Sequence, residues 1–444
     1  MVYHDDCRAL FVFLVCFVCR SCGRSSHPML LIISLDGLSH EWVREEWMPN
    51  LSEFARRGVC FETGVRSQYL TVTAPNHMSL VTGLHVESHG IVGNEFFDPV
   101  IGDYWAIWDD HNATRTQVPG DAGILTSLKD WKEDFDLLLS YFLDSSRPAN
   151  LGLLHVPYPD HTLHFSGSKS AKTIDCLKQL DVFVNYVFVY ACLQQTGLIS
   201  QMNIVFLADH GHADLKQPSS SQSWRVFDYI DKHKVIVSAF SLHPASPNTK
   251  LNDTYDILKS ASQSGQLPIK VYWKTDFPNH KYHFANNPRV GPIILTKKVS
   301  HNVYMDEQAK QLFSSHDFLP DFPELRAFVA AAGPALKENL LLDSSHVENI
   351  DLYSLFCAIL QLTPKSHNGS FERVKIVLKP GSRAVLFESN QGLFVAVIAC
   401  AVVLPVVLLL IYLSSTLCTC DAEKEANSNR SRSRYSRLNN SDSL

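Results

Sequence analysis

Three apolar runs each end in an acidic residue of the kind that holds a divalent metal. MLLIISLDG (29–37) brings Asp36, NLGLLHVPYPDHTLH (150–164) brings Asp160 and His164, and NIVFLADHGH (203–212) brings Asp209 and His210. Singly, each signal is weak. A lone Asp-Gly after a strand is usually a turn, and a chain with 20 histidines produces Asp/His pairs by chance. Their joint occurrence carries more. Oxygen and nitrogen donors without thiolate favour zinc or a similar divalent ion. With a threonine hydroxyl added, the set is too large for one tetrahedral zinc and suits two ions about 4 Å apart, the arrangement used for in-line displacement at phosphorus. The hydroxyl is that of Thr73, in TVTAPNHMSLVTGLHVESHGIVGN (71–94). Pro75 opens a helix there, and the N–H groups and dipole of a helix N-terminus favour a phosphate or its transition state. Coordination would lower the hydroxyl pKa, so no histidine base is needed. The competing role for Thr73 is a plain helix N-cap.

Such residues converge only if the runs are neighbouring strands of an open α/β sheet, whose ligands sit at the strands' C-terminal ends. The pattern agrees. Apolar runs at 29–35, 61–67, 150–156 and 203–208 alternate with helical stretches at 48–59, 75–84, 126–146 and 171–200, as a mostly parallel sheet flanked by helices requires. Leu177, Leu180, Val184, Val187 and Ala191 step by three and four along the last of these, marking its buried face. Further strands are expected at 235–240, 270–274 and 291–298, a strand with a turn at 323–336, and a helix at 350–362. Residues 95–125 read as an irregular excursion.

The 444 residues carry 45% apolar side chains and 19% charged ones, values of a globular chain with a substantial core. The net charge of −6 gives no argument for a nucleic-acid polymer as partner. Residues 9–19 form an apolar block of signal-peptide length, so 1–26 is expected to be a leader. Residues 393–413 form an uncharged block long enough for one transmembrane helix, followed by Lys424, Arg430, Arg432, Arg434 and Arg437. The positive-inside rule places that 414–444 tail in the cytosol. The expected organisation is therefore a catalytic domain at 27–375, a stalk at 376–392 and a single membrane anchor. That makes a type I plasma-membrane protein with its bulk outside the cell. Asn50, Asn112, Asn252 and Asn368 head glycosylation sequons. Cys60, Cys176, Cys192 and Cys357 lie in the outer part. Cys176 and Cys192 share one helix too far apart to pair. The oligomeric state is not legible.

ISLDGL, TAPNHMSLVTGLHVESHGIVGN, PDHTLH and LADHGH together resemble the ectonucleotide pyrophosphatase/phosphodiesterases of the alkaline phosphatase superfamily, over roughly residues 29–370. The resemblance implies an alkaline-phosphatase-like core with two Zn2+ ions, one held by Asp36, Thr73, Asp209 and His210, the other by Asp160, His164 and a later histidine. SSHDFLPDFPELRAFVAAAGPAL offers His316 for that last place. It implies that Thr73 forms a covalent nucleotidyl intermediate, that the Asn94 amide binds the phosphoryl oxygen, and that the substrates are extracellular nucleotides or other phosphodiesters. Two readings stand beside it: a choline or lysophospholipid phosphodiesterase on the same scaffold, and a catalytically weak surface binding protein. The chain departs from the family at Ala74, where nucleotide-cleaving members have phenylalanine, at His155 for a common tyrosine, and at Pro157-Tyr158 for an acidic pair. Tyr104, Trp105, Trp108 and Tyr158 are the rings available to replace the missing stacking face.

Overall fold

A computed structural model describes residues 27–106, 127–192, 201–216, 224–305 and 312–381. The expected leader at 1–26, most of the stalk, the membrane segment 393–413 and the cytosolic tail lie outside the described residues, as do Trp108 and Asn112. Among the described residues no helix is long and apolar enough to cross a membrane.

The central sheet has six strands: β1 (Met29–Leu35), β2 (Val59–Phe61), β3 (Leu151–Val156), β4 (Met202–Leu207), β5 (Val329–Ala332) and β6 (Leu340–Leu342), in the order β6-β2-β5-β4-β1-β3. β3, β1 and β4 run parallel. β5 is the one antiparallel member, pairing with β4 on one side and β2 on the other. All seven residues of β1 are buried. The reason is that both faces of the strand are covered. Leu31, Ile33 and Leu35 face one apolar cluster, and Leu30 and Ile32 face the other.

Helices supply the two covers. The first cluster takes Leu51 and Phe54 of α1 (Pro49–Arg57), Trp131 and Phe135 of α3 (Leu128–Phe142), and Leu177, Leu180, Val184 and Val187 of α5 (Ala171–Cys192). These last four are the face expected from the three-four spacing. The second takes Leu80 of α2 (Thr73–Thr82) and Leu352, Leu355 and Ile359 of α6 (Asp351–Leu360). Helix α3 begins with a capping box between Ser127 and Asp130, which satisfies two of its free N–H groups. Asp181 of α5 accepts from the backbone N–H groups of Asn50 and Leu51 and from the Asn50 amide, so the Asn50 sequon nitrogen is engaged in a structural bond. Cys60, Cys176 and Cys357 are thiols.

Beside the main sheet, residues 269–273, 293–297, 241–244 and 235–238 form a four-stranded antiparallel sheet in that order. Three local expectations change. The run expected at 61–67 is strand only through Phe61, because Gly64 (φ +66°) turns the chain; Val65 and Arg66 make isolated bridges instead. The run at 235–240 stops at Ser238, because Ala239 and Phe240 both take left-handed φ values of 42° and 59° and form the hairpin tip. The described part of the 95–125 excursion is an antiparallel hairpin, Glu95–Asp98 with Asp103–Ala106.

Candidate metal centre

The register of three parallel strands brings the acids together. Ser34 lies opposite His155 of β3 and Leu207 of β4, so Asp36 just after β1, Asp160 at the start of α4 (Asp160–Ser166) and Asp209 just after β4 emerge along one sheet edge. Gly37 makes the close approach possible. Its φ is +71°, and a Cβ there would lie 2.9 Å from both Asp160 Cβ and His212 Cδ2.

One cluster joins Asp36, Asp209 and His210. His210 Nε2 lies 3.2 Å from Asp209 Oδ2 and 3.6 Å from Asp36 Oδ1. These three atoms are buried and lack a hydrogen-bond partner. Two carboxylate oxygens and an imidazole nitrogen facing one another without a donor would cost several kcal/mol in total if left uncompensated. The His210 Nδ1 donates to the Gly211 carbonyl at 3.1 Å, which leaves a lone pair on Nε2. The donor set therefore fits a divalent cation. Burial, then Asp209 and Asp160, pushes the Asp36 carboxyl well above its usual range, against a lowering interaction with the Thr73 hydroxyl. Burial holds His210 down to about 3, the neutral form that ligates.

The second cluster joins Asp160, His164, His212 and His316. His164 Nδ1 donates to the Ser314 carbonyl at 3.0 Å, and His316 Nδ1 to the Thr71 carbonyl at 2.6 Å. Both Nε2 lone pairs then face each other at 3.1 Å, and lie 3.5 Å and 3.3 Å from Asp160 Oδ1. Lone pairs converge in this way on a cation, with the backbone carbonyls fixing the tautomers. Burial drives His316 well below the usual histidine range, again toward the neutral ligand.

Thr73 is the first residue of α2, and the N-cap is Val72, which has no capping side chain. The plain N-cap role is thus not the one Thr73 plays. The Pro-Asn-His that follows has local reasons. Asn76 Nδ2 donates to the Leu70 and Val72 carbonyls, and its Oδ1 accepts from the Gln68 N–H, holding the loop that leads into Thr73. His77 bridges the Thr73 carbonyl and the Ser34 hydroxyl. Asn94 Oδ1 accepts the Ala74 N–H.

The sequence reading gave no role to His77 or His212 and took His155 only as a departure from the family's tyrosine. His155 Nε2 lies 2.9 Å from Asp36 Oδ2, and its ring meets His77 edge-on at 4.9 Å. His212 is two residues beyond His210, a spacing visible in LADHGH that was assigned no role. Among the candidate rings, Trp105 stacks on Phe96 at 5.0 Å and Tyr158 leans on Trp131 at 5.4 Å. Tyr104 lines a cavity of about 410 Å³ together with Glu95, Phe240, Lys297 and Asp317. Glu95 follows Asn94 and Asp317 follows His316, so two site residues border this cavity in sequence. Ala74 is buried.

A family model described as type I phosphodiesterase / nucleotide pyrophosphatase matches residues 30–131 and 115–319. Among curated proteins the chain is similar to human bis(5'-adenosyl)-triphosphatase ENPP4, at 26% identity over 385 residues, covering 79% of this chain and 82% of that protein. It is also similar to mouse ectonucleotide pyrophosphatase/phosphodiesterase family member 7, at 24% identity over 417 residues, covering 84% and 92%. Among solved structures, murine ectonucleotide pyrophosphatase/phosphodiesterase 5 superposes with a TM-score of 0.67 at 25% identity, covering 79% of this chain and all of that one. An inactive variant of that murine protein, solved in complex with AMP, gives a TM-score of 0.68 at 24% identity.

Proposed function

The chain belongs to the ectonucleotide pyrophosphatase/phosphodiesterase family of the alkaline phosphatase superfamily, and we propose from this that it is a two-zinc phosphodiesterase that cleaves phosphodiester or pyrophosphate bonds of nucleotides. The observation that carries the reading is the pair of ligand clusters joined at Asp36–Gly37, one of them beside the Thr73 hydroxyl. Asp36, Asp209, His210 and Thr73 would hold one ion, and Asp160, His164 and His316 the other. When bound, the ions supply Lewis acidity and neutralise charge developing at phosphorus.

The chain's own residues then divide the work. Thr73 Oγ attacks phosphorus, forming a phosphodiester to the threonine and releasing an alcohol or a phosphate. Water hydrolyses that ester in a second displacement and returns Thr73, giving a nucleoside 5′-monophosphate when the substrate is a nucleotide. The Asn94 amide N–H groups, left free by the bond from Ala74 N–H to Oδ1, offer donors to the phosphoryl oxygens. Burial of His210 and His316 favours their neutral forms, which suits ligands rather than acids. The cavity lined by Tyr104 and Phe240 seats the organic part of the substrate. Its Glu95 beside two aromatic rings also suits a quaternary ammonium group, which favours a choline phosphodiester as the second reading.

The test is release of nitrophenol from a nitrophenyl ester of TMP by the purified protein, with loss of activity on chelation and recovery with zinc. Thr73→Ala should abolish turnover while the protein keeps its zinc; full activity in that variant removes Thr73 as nucleophile. ATP, NAD, dinucleoside polyphosphates and glycerophosphocholine assayed side by side separate the two readings. The proposed setting is the cell surface, with the 393–413 segment as anchor. Protease sensitivity of the catalytic domain on intact cells checks it.

A further inference from the structure

Four side chains form the second cluster, but their spacings fall into two kinds. A tetrahedral zinc with bonds of about 2.0–2.1 Å places its donors about 3.3 Å apart. Asp160 Oδ1, His164 Nε2 and His316 Nε2 are separated by 3.1, 3.3 and 3.5 Å. That is one face of such a tetrahedron, with its fourth corner left for substrate or water. His212 Nε2 is 2.5 Å from Asp160 Oδ1. Two donors to one ion do not sit so close, whereas an imidazole N–H donating to a carboxylate does.

The far side of the ring supports the same assignment. His212 Nδ1 lies 2.9 Å from Ser314 Oγ. If Nε2 carries the proton, Nδ1 accepts from the Ser314 hydroxyl. That hydroxyl has one proton and two acceptors in reach, His212 Nδ1 and, at 3.1 Å, the Ala213 carbonyl. The shorter contact is the one this tautomer requires. Ser314 also holds His164 through its carbonyl, and His316 follows two residues later. The short strand Ser314–Ser315, paired with Ala213–Asp214, therefore holds His164 and His212 and leads directly into His316. His212 is 1% exposed, so it is out of reach of substrate.

We infer that His212 is a positioning residue rather than a fourth ligand: with Ser314 behind it, it locks the Asp160 carboxylate in the orientation that completes the second metal site. The inference rests on the two-zinc reading above. Partners of this kind typically change metal affinity 10–100-fold.

The experiment measures zinc content and the rate of zinc transfer to a chromogenic chelator for the wild type, His212→Ala, His212→Gln and Ser314→Ala, with circular dichroism to verify folding. Cobalt-substituted spectra are recorded for each. Wild type should hold two ions. His212→Ala should release one of them about 10–100-fold faster, Ser314→Ala should do so more mildly, and His212→Gln, whose amide N–H can still reach Asp160, should recover most of the retention with cobalt bands unmoved. Wild-type release from His212→Ala overturns the inference. So does a shift of the cobalt bands in His212→Gln, which would make His212 a ligand. A wild type holding fewer than two ions instead sinks the two-zinc reading, and this inference with it.

Discussion

Asn94 Oδ1 accepts the backbone N–H of Ala74 at 2.7 Å. Since a backbone N–H can meet only the oxygen, this bond fixes which way the amide is turned. It leaves both Asn94 N–H donors for another acceptor, next to the first turn of α2. Asn94→Ala should lower kcat/KM by about 10²–10³-fold, the usual cost of removing one preorganised donor from a developing oxyanion. Asn94→Asp keeps the bond to Ala74 but puts an anion where the donors were, so it should be worse than Asn94→Ala. Steady-state kinetics on folded variants decide it; an Asp variant more active than the Ala variant would exclude the donor role.

Gly37 should tolerate no side chain. Its φ of +71° is strained for any other residue, and a Cβ would meet Asp160 and His212 at 2.9 Å. Gly37→Ala should lose about 1–3 kcal/mol of stability from the backbone conformation alone. It should also lose zinc, because the shift falls on Asp160. Urea unfolding together with metal analysis checks both; a variant with full zinc and unchanged stability contradicts the account.

Much of this site was legible in the sequence because its signals are local. A strand end followed by an acid, a proline near a helix start and an i, i+4 Asp/His pair each leave a mark within a few residues. His316 was different. It lies 152 residues from His164, its contact at 3.1 Å, and only the resemblance singled it out. The contacts of His212 with Ser314 and of His155 with Asp36 left no local mark, because the partners lie 102 and 119 residues away. The antiparallel β5 inside an otherwise parallel order was illegible for a related reason. Val329–Ala332 is apolar and buried on both faces, as a parallel strand would be, so direction leaves no trace in composition.

His89 gives the stability a pH dependence whose sign follows from its bonds. Its Nδ1 accepts the Ile91 N–H at 3.1 Å, and its Nε2 lies 3.0 Å from the Ser79 hydroxyl. Protonating Nδ1 would set two donors against each other. Burial is the main cause that lowers its pKa to about 4, while the unfolded chain titrates near the ordinary 6.5. Between these values the unfolded state binds more protons. The contribution is therefore complete above about pH 6.5 and is lost as pH falls toward 4, at up to about 1.4 kcal/mol per pH unit. His89→Gln should flatten that part of the curve. Urea unfolding at fixed zinc from pH 7.5 to 4.5 measures it, and parallel curves for the two proteins would refute it.

The hairpin tip tests the substrate cavity. Ala239 and Phe240 both hold left-handed backbone conformations without glycine, and each such residue costs of order 1–3 kcal/mol. The tight two-residue turn explains the conformation but not the choice of phenylalanine, since Asn-Gly would make the same turn without strain. The ring lines the cavity with Tyr104 and stands 4.6 Å from Lys297 Nζ, which is itself paired with Asp317 at 2.5 Å. A ring kept at a strained position in this cavity is explained if it stacks on the substrate. Phe240→Gly removes the ring and relieves the backbone. It should raise KM for nucleotide substrates about 10-fold or more, the worth of one stacking face, with kcat little changed and thermal stability not reduced. A purely structural role would give the opposite pattern, unchanged KM with a less stable protein. If KM rises for glycerophosphocholine and not for nucleotides, the cavity takes the quaternary ammonium group instead.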